Sequence, residues 1–509
     1  MSYIRGLDPL GTQISSEATY SLLLPGITNL TYHIRHYGFY CWLLDTYERD
    51  GGLADPVAQQ NFIRRAELLL ALLVQLAQPT LRHIPGSQFA AALVQQGAVP
   101  YNLSAGADLR PGGNEGTYWR SRTGAFGQYY AGAMRQLGLV GTLVHGELVY
   151  RRTPRTGAYC SGEEVAEAYA GQMPEAVQQR FLRSVQQHTL RPADVAELFR
   201  YFNPVAVAEG SPEQAVYLRL LMAADSPAQE TEEPARHRAT TLRELLRYLH
   251  AHPGAEWPEF LLANYVQRLT ADSLTMQGWY YYQVNEYWQF ACGALLSATL
   301  QQLDQAGGVL ETEPFLADFA KRVGQQLRQL TPWLTPEQLL TWLVTDQASE
   351  LPTEEVSVAA IWQALKNREP RQVAAHSFLL LGQLLRHTAG QMPELVAFGQ
   401  RRAIYRDGNF WEFAQGLLRQ PTLTVGEFIP DFLRRRVLTR HLLVATRKLG
   451  SGTQATFKFA LEDDYLLLLE NIQPMFSGPR LNALCTIARE VHLLDEQGRL
   501  TPRALTYLP

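Results

Sequence analysis

The sequence predicts a mainly α, multi-lobed helical protein with short β-hairpins. Three observations carry this. Apolar residues recur at helical spacing along most of the chain, strand-like alternation is confined to a few short places, and 509 residues exceed what one core organises. With 46% hydrophobic, 10% aromatic and 18% charged residues, burial offsets the entropy of ordering, which excludes a largely disordered chain.

Pro25-Gly26 supplies a turn before a buried helix read over Thr28 to Tyr47, rich in Tyr32, Phe39, Tyr40 and Trp42. Asp55 and Pro56 read as an N-cap and first-turn proline. Their helix runs through Phe62, Leu68, Leu69, Leu72 and Val74, apolar almost all round, and needs cover on every side. Between Gly113 and Gln172 the pattern changes. A helix near Ala125 to Gln136 stops at Gly138, Leu143 to Tyr150 reads as two short strands about a His145-Gly146 turn, and Ser161-Gly162-Glu163-Glu164 is a capping box. Helix, hairpin, helix makes 113–172 a candidate winged-helix-like module, with Arg151, Arg152 and Arg155 where a wing meets a phosphate backbone. The alternative is a hairpin packed on its neighbours with solvated arginines.

From Pro192 to about Arg419 helices follow one another. The polar stretch Ala224 to Pro234, with two prolines, reads as a linker or exposed loop. A long helix is expected over Met276 to Ala306. Its Trp279, Tyr280, Tyr281, Tyr282, Tyr287, Trp288 and Phe290 cannot share one face at about 100° per residue, so it should touch several neighbours. Asn285 and Glu286, inside that aromatic block, are expected to bond adjacent helix ends or reach solvent. A helix over Asp431 to Leu449 is halted by Gly450-Ser451-Gly452. Strands at Thr456 to Phe459 and Tyr465 to Leu468 then flank an acidic tip, Glu462-Asp463-Asp464; a helix over Arg480 to Glu490 and a strand pair around Glu496-Gln497-Gly498 complete the chain. This makes 421–509 a second candidate winged-helix-like module. The expected regions are 1–172, 173–420 and 421–509.

A net charge of −4 gives no global basic field. The local exception lies between Phe432 and Ala460, where Arg434, Arg435, Arg436, Arg440, Arg447, Lys448 and Lys458 stand with no Asp or Glu. On an α-helix Arg436, Arg440 and Arg447 fall within about 40° of one another, apart from an apolar stripe of Leu433, Val437 and Val444. Such a face suits phosphate oxygens through sequence-independent, salt-dependent contacts, with DNA expected over RNA. The competing reading pairs these cations with acids of the same chain or of a partner protein. Four Lys against 41 Arg also follows from a GC-rich genome and assigns no function.

No phosphate loop, GxSxG or HExxH motif is present. Gly450-Ser451-Gly452-Thr453 is only a helix break. Cys41, Cys160, Cys292 and Cys485 form no framework, so reduced thiols are expected. His33 and His36 share a face without a third ligand, while His250 and His252 diverge; no metal and no cofactor is expected. The N-terminus lacks an apolar h-region and no apolar run reaches the roughly 18 residues of a span, so a cytoplasmic protein without membrane contact is expected.

Arg371-Gln372-Val373-Ala374-Ala375-His376 resembles the Arg–His motif of the helical ribonucleases called HEPN domains. The resemblance implies His376 as acid or base and Arg371 as stabiliser of a phosphorane, across a dimer interface. It lacks the Asn or Asp often found after the Arg, and composition alone predicts roughly three chance matches; Arg247 to His252 also fits. Leu24-Pro25-Gly26-Ile27-Thr28-Asn29 with Ile34-Arg35-His36-Tyr37-Gly38-Phe39-Tyr40, and Tyr280-Tyr281-Tyr282-Gln283-Val284-Asn285-Glu286, resemble segments of uncharacterised helical bacterial proteins of phage-defence neighbourhoods. That resemblance implies an association with anti-phage or mobile-element defence. The expected function is a non-catalytic subunit that binds nucleic acid or bridges partner proteins in a bacterial complex. A HEPN-like ribonuclease and a pure protein scaffold are the alternatives.

Overall fold

Helix starts follow local side-chain chemistry. Asp55 accepts the N–H groups of Val57 and Ala58 ahead of helix Pro56–Ala77, and Ser161 with Glu164 closes the capping box of helix Gly162–Ala170. Each satisfies amides that a helix leaves without partners. The computed structural model describes residues 8–51, 55–145, 147–156, 160–222, 234–267, 273–331, 337, 352–451 and 456–508. Most of these are helical, with a few short antiparallel strands. The stretch read as a linker, and Gly146 of the hairpin turn, fall almost wholly outside them. No helix among the described residues is long and apolar enough to cross a membrane.

Two compact units are formed, one from Met1–Tyr20 with Leu261–Pro479, the other from Ser21–Phe260 with Arg480–Pro509. These boundaries differ from the expected 1–172, 173–420 and 421–509, and the 421–509 segment is divided between the units. The reason is long-range pairing that local pattern does not display. In the first unit strand Val309–Glu311 joins Tyr465–Leu468. In the second, Arg480 donates to Ile27 O and Ser21 Oγ, and Gln214 donates to Val491 O.

The unit containing Ser21–Phe260 is built around two buried helices, Arg35–Arg49 and Pro56–Ala77. The expected hairpin is Val140–His145 with Glu147–Arg152, paired Val140 to Arg152. The helix before it is π-helical over Phe126–Tyr130 and α-helical over Ala131–Gln136, ending ahead of Gly138 at φ 73°. The pair read around Gln497 is a turn closed by a single bridge, Leu494 to Leu500.

His33 ties the returning C-terminal segment down. Its Nδ1 meets the Glu490 carboxyl and its Nε2 donates to Arg82 O, two partners that favour a charged ring. Burial lowers its pKa, but Glu490 more than compensates and the result is raised. A raised histidine contributes stability that is full below its unfolded pKa, about 6.5, and is lost as pH rises through the folded value. His33→Gln is therefore expected to cost more stability at pH 6 than at pH 8, measured by denaturant unfolding; a pH-independent difference contradicts the charged ring.

In the unit containing Leu261–Pro479 the long helix Leu274–Gln305 is buried over nearly its whole length, as its aromatics require. It packs on helix Pro370–Thr388, which also receives Glu354–Asn367 and Thr312–Leu330. Asn285 Nδ2 donates to Tyr281 O while its Oδ1 accepts the Phe410 N–H, the first amide of helix Phe410–Leu418. Glu286 is fully buried and accepts both the N–H and the Oγ–H of Ser477. The two polar residues thus hold a helix end and a loop against the aromatic core.

Candidate functional site

The basic segment is not one continuous α-helix. Helix Val425–Phe432 passes into a π-helical stretch, Leu433–Thr439, and then into helix Arg440–Ser451. The sequence explains the wide turn. Buried residues come in pairs at Phe432-Leu433 and Leu438-Val437, five residues apart, and only an i to i+5 helix keeps both pairs on one face. Arg436 and Arg440 both reach the 407–412 turn, Arg436 at the Glu412 carboxylate and Arg440 at Asp407 O, and Arg447 is exposed; Leu433, Val437 and Val444 are buried as expected.

Several of these cations work inside the unit. Arg440 Nε donates to Leu10 O, its Nη2 reaches Gly11 O and Asp407 O, and Lys448 Nζ donates to Asp8 O. His441 lies between them, its Nδ1–H donating to Pro9 O and its Nε2 accepting the Lys458 N–H. Four successive carbonyls, Asp8 to Gly11, are held by this clasp. Burial, and then the Lys458 and Lys448 charges, lower the His441 pKa to about 4 against the opposing Pro9 carbonyl, so the ring is neutral, as its acceptor role demands. Lys458 pairs with Glu470 and is nearly buried; Arg436 pairs with Glu412 at 3.1 Å. Burial raises the Glu412 pKa, but the Gly408 N–H and Arg436 outweigh it and hold the carboxyl below its ordinary range.

The outward cations are Arg434, paired with Glu313, Arg435, paired with Asp431 at 2.8 Å, and Arg447. The Arg435 side chain is 74% exposed. Exposed pairs of this kind contribute about 0–1 kcal/mol, so a phosphate competes for them; the clasp cations are already committed. In the other unit Arg151 pairs with Glu48, Arg152 with Asp45 and Glu48, and Arg155 with Glu164 and Glu167. Arg151 and Arg152 thus bind the hairpin to helix Arg35–Arg49.

Arg371 and His376 lie on one helix, Pro370–Thr388. Five residues place them about 140° apart in azimuth, so they do not converge within the chain. Arg371 is exposed beside Gln302; the His376 ring is half-buried, its Nδ1 lacks a partner, and burial lowers its pKa. His33 and His36 rings are 5.8 Å apart. Among the described residues no group of three His, Cys, Asp or Glu is arranged to hold a metal ion, and the four cysteines form no disulfide.

One surface was not legible from sequence. Strands Phe459–Glu462 and Val309–Glu311 flank Tyr465–Leu468 in an antiparallel three-stranded sheet. Register puts Phe459, Leu461, Leu466, Leu468 and Leu310 on the inner face, with Phe459 and Leu466 buried and Leu461 at its edge half-exposed. The outer face carries Val309, Ala460, Tyr465 and Leu467, with Val309 54% and Tyr465 49% exposed. Glu311 and Glu462 share that face, and Asp463-Asp464 form the adjacent hairpin tip, where Asp463 adopts φ 51°. None of these four carboxylates makes an ion pair among the described residues. The acidic tip was visible in the sequence; its apolar floor was not, because Val309 arrives from far upstream. Gly307-Gly308 was the only local signal, marking a break before a short strand.

Compared with protein-family models, curated proteins and solved structures, the chain has no match.

Proposed function

We propose that the chain is a non-catalytic bridging subunit of a bacterial multi-protein complex, and that the outer sheet face of Val309, Ala460, Tyr465 and Leu467 holds a partner protein. One observation carries the reading: an exposed apolar floor rimmed by carboxylates without ion pairs among the described residues. Apolar area supplies affinity when covered, while the rim selects a basic segment and raises its encounter rate. The resemblance of Leu24 to Tyr40 and of Tyr280 to Glu286 to proteins of phage-defence neighbourhoods suggests a defence complex as the setting.

A second reading, contact with nucleic acid, is favoured by the exposure of Arg434 and Arg435, whose pairs a phosphate backbone can displace. Copurification separates the two. Tagged full-length chain, recovered after nuclease treatment at 150 mM salt, is expected to retain a partner that Val309→Lys with Tyr465→Lys releases and Arg434→Glu with Arg435→Glu keeps. A partner lost on nuclease treatment, or indifferent to the sheet-face substitutions, contradicts the bridging reading.

A further inference from the structure

Along the central helix Leu274–Gln305, Glu286, Gln289, Gly293, Ser297 and Gln301 follow one another at three- or four-residue spacing. A segment without regular secondary structure, residues 469–479, runs along that line. Ser297 Oγ donates to Ile472 O at 2.7 Å, Gln289 Nε2 to Met475 O at 3.3 Å, and the Ser477 N–H donates to Glu286 at 2.7 Å. From Ser297 to Glu286 the helix descends about 16 Å while the strap advances from Ile472 to Ser477, about 3.3 Å per residue. That is the rise of a fully extended β-strand. At Gly293 the strap passes within van der Waals reach of the helix, where a Cβ would stand 3.4 Å from Pro474.

The strap pairs with no strand among the described residues. Among the described residues the N–H groups of Asn471, Ile472, Gln473 and Met475 make no hydrogen bond. Beside the strap lies a cavity of about 650 Å³, lined by Gln289, Gly293 and Gln301 of the helix, by Asp8 to Leu10 with Thr12 and Gln13, by Leu365 and Arg368, and by Lys458 and residues 470–475. Its charges balance, Asp8 and Glu470 against Lys458 and Arg368, and the remaining polar groups are mostly amides. Gln289 is 7% exposed, yet its Oε1 has no partner; the Oε1 of Gln301 is likewise buried and unpaired. Neither amide is free to flip. The Nε2 of Gln289 is committed to a carbonyl, and that of Gln301 to the Ser297 hydroxyl, whose own proton goes to Ile472 O. Gln289 and Gln301, about 18 Å apart along the helix, a length of about five extended residues, both line this neutral cleft beside the strap.

We propose that this cleft binds an extended peptide segment of about five residues, which adds as a strand beside the strap. Strap N–H groups donate to the peptide's carbonyls, and Gln289 and Gln301 accept its N–H groups, as in other strand-addition sites. Balanced lining charge calls for a peptide without strong net charge, unlike the basic segment suited to the sheet face, and the two surfaces are independent.

The test is a random heptapeptide display library panned on the full chain, followed by fluorescence polarisation of the selected peptides. Selected peptides are expected to bind the wild type and to bind Gln289→Leu with Gln301→Leu at least tenfold more weakly in protein that circular dichroism shows to be folded; the two substitutions remove the unpaired acceptors together with the donor to Met475 O. Gln473→Pro, which deletes one strap N–H at an exposed position, is expected to weaken the same peptides. Val309→Lys with Tyr465→Lys is expected to leave them unaffected, which separates this site from the sheet face. No enriched peptide, equal binding by the double glutamine variant, or saturable binding of maltotriose in place of peptides overturns the proposal.

Discussion

Arg440→Met is expected to lower the stability of its unit by roughly 2–4 kcal/mol and to strip amide-exchange protection from residues 8–20. Arg440 gives its guanidinium to Leu10 O, Gly11 O and Asp407 O, and hydrogen bonds to charged groups contribute about 1.5–3 kcal/mol each, less than additively. His441 makes the clasp sensitive to acid. Its folded pKa of about 4 lies below the unfolded value near 6.5, so the stabilisation from its neutral ring is complete above pH 6.5 and is lost as pH falls toward 4. The window corresponds to about 3 kcal/mol. Hydrogen exchange at pH 7 and pH 5 reads both effects at once: residues 8–20 are predicted to open in the variant at either pH, and in the wild type only toward pH 5, after correction for intrinsic exchange rates. Unchanged protection in Arg440→Met contradicts the clasp.

Arg35→Met is expected to cost about 3–5 kcal/mol in the other unit. Arg35 Nε faces both Glu213 oxygens at 3.0 and 3.2 Å, its Nη1 donates to Tyr201 O and Asn203 O, and both side chains are almost wholly buried. Removing the cation leaves a buried carboxylate supported only by the Tyr217 hydroxyl, the costly half of a buried pair. Removing both charges abolishes that penalty. Arg35→Met with Glu213→Leu is therefore expected to be more stable than Arg35→Met alone by at least about 1 kcal/mol, measured by denaturant unfolding. Additive losses from the two substitutions would contradict a buried ion pair.

How much of this was readable beforehand depended on distance along the chain. Asp55, Ser161 and Glu164 announce helix starts because capping uses residues two or three positions away, and the aromatics from Trp279 to Phe290 announce a central helix because no single face holds them. The same logic stopped short at Arg434 to Lys448. A local step places arginines on a helix but does not show which are already engaged: the Asp8, Leu10 and Gly11 carbonyls that capture Lys448 and Arg440 lie more than 400 residues upstream, and buried pairs five residues apart accompany the π-helical stretch. The sheet face was hidden for a related reason: Val309 and Tyr465 share a surface only once strands about 150 residues apart pair.

Bridging of a partner protein, as opposed to contact with nucleic acid through the outward arginines, is tested most directly by titrating the full chain into a fluorescently labelled 20-base-pair DNA duplex and the matching single-stranded RNA, at 50 and 200 mM salt. The account predicts no saturable anisotropy change up to about 10 µM protein at the higher salt, within the range of non-specific binding. Saturable submicromolar binding at 200 mM salt, abolished by Arg434→Glu with Arg435→Glu in a variant that remains folded, would contradict it.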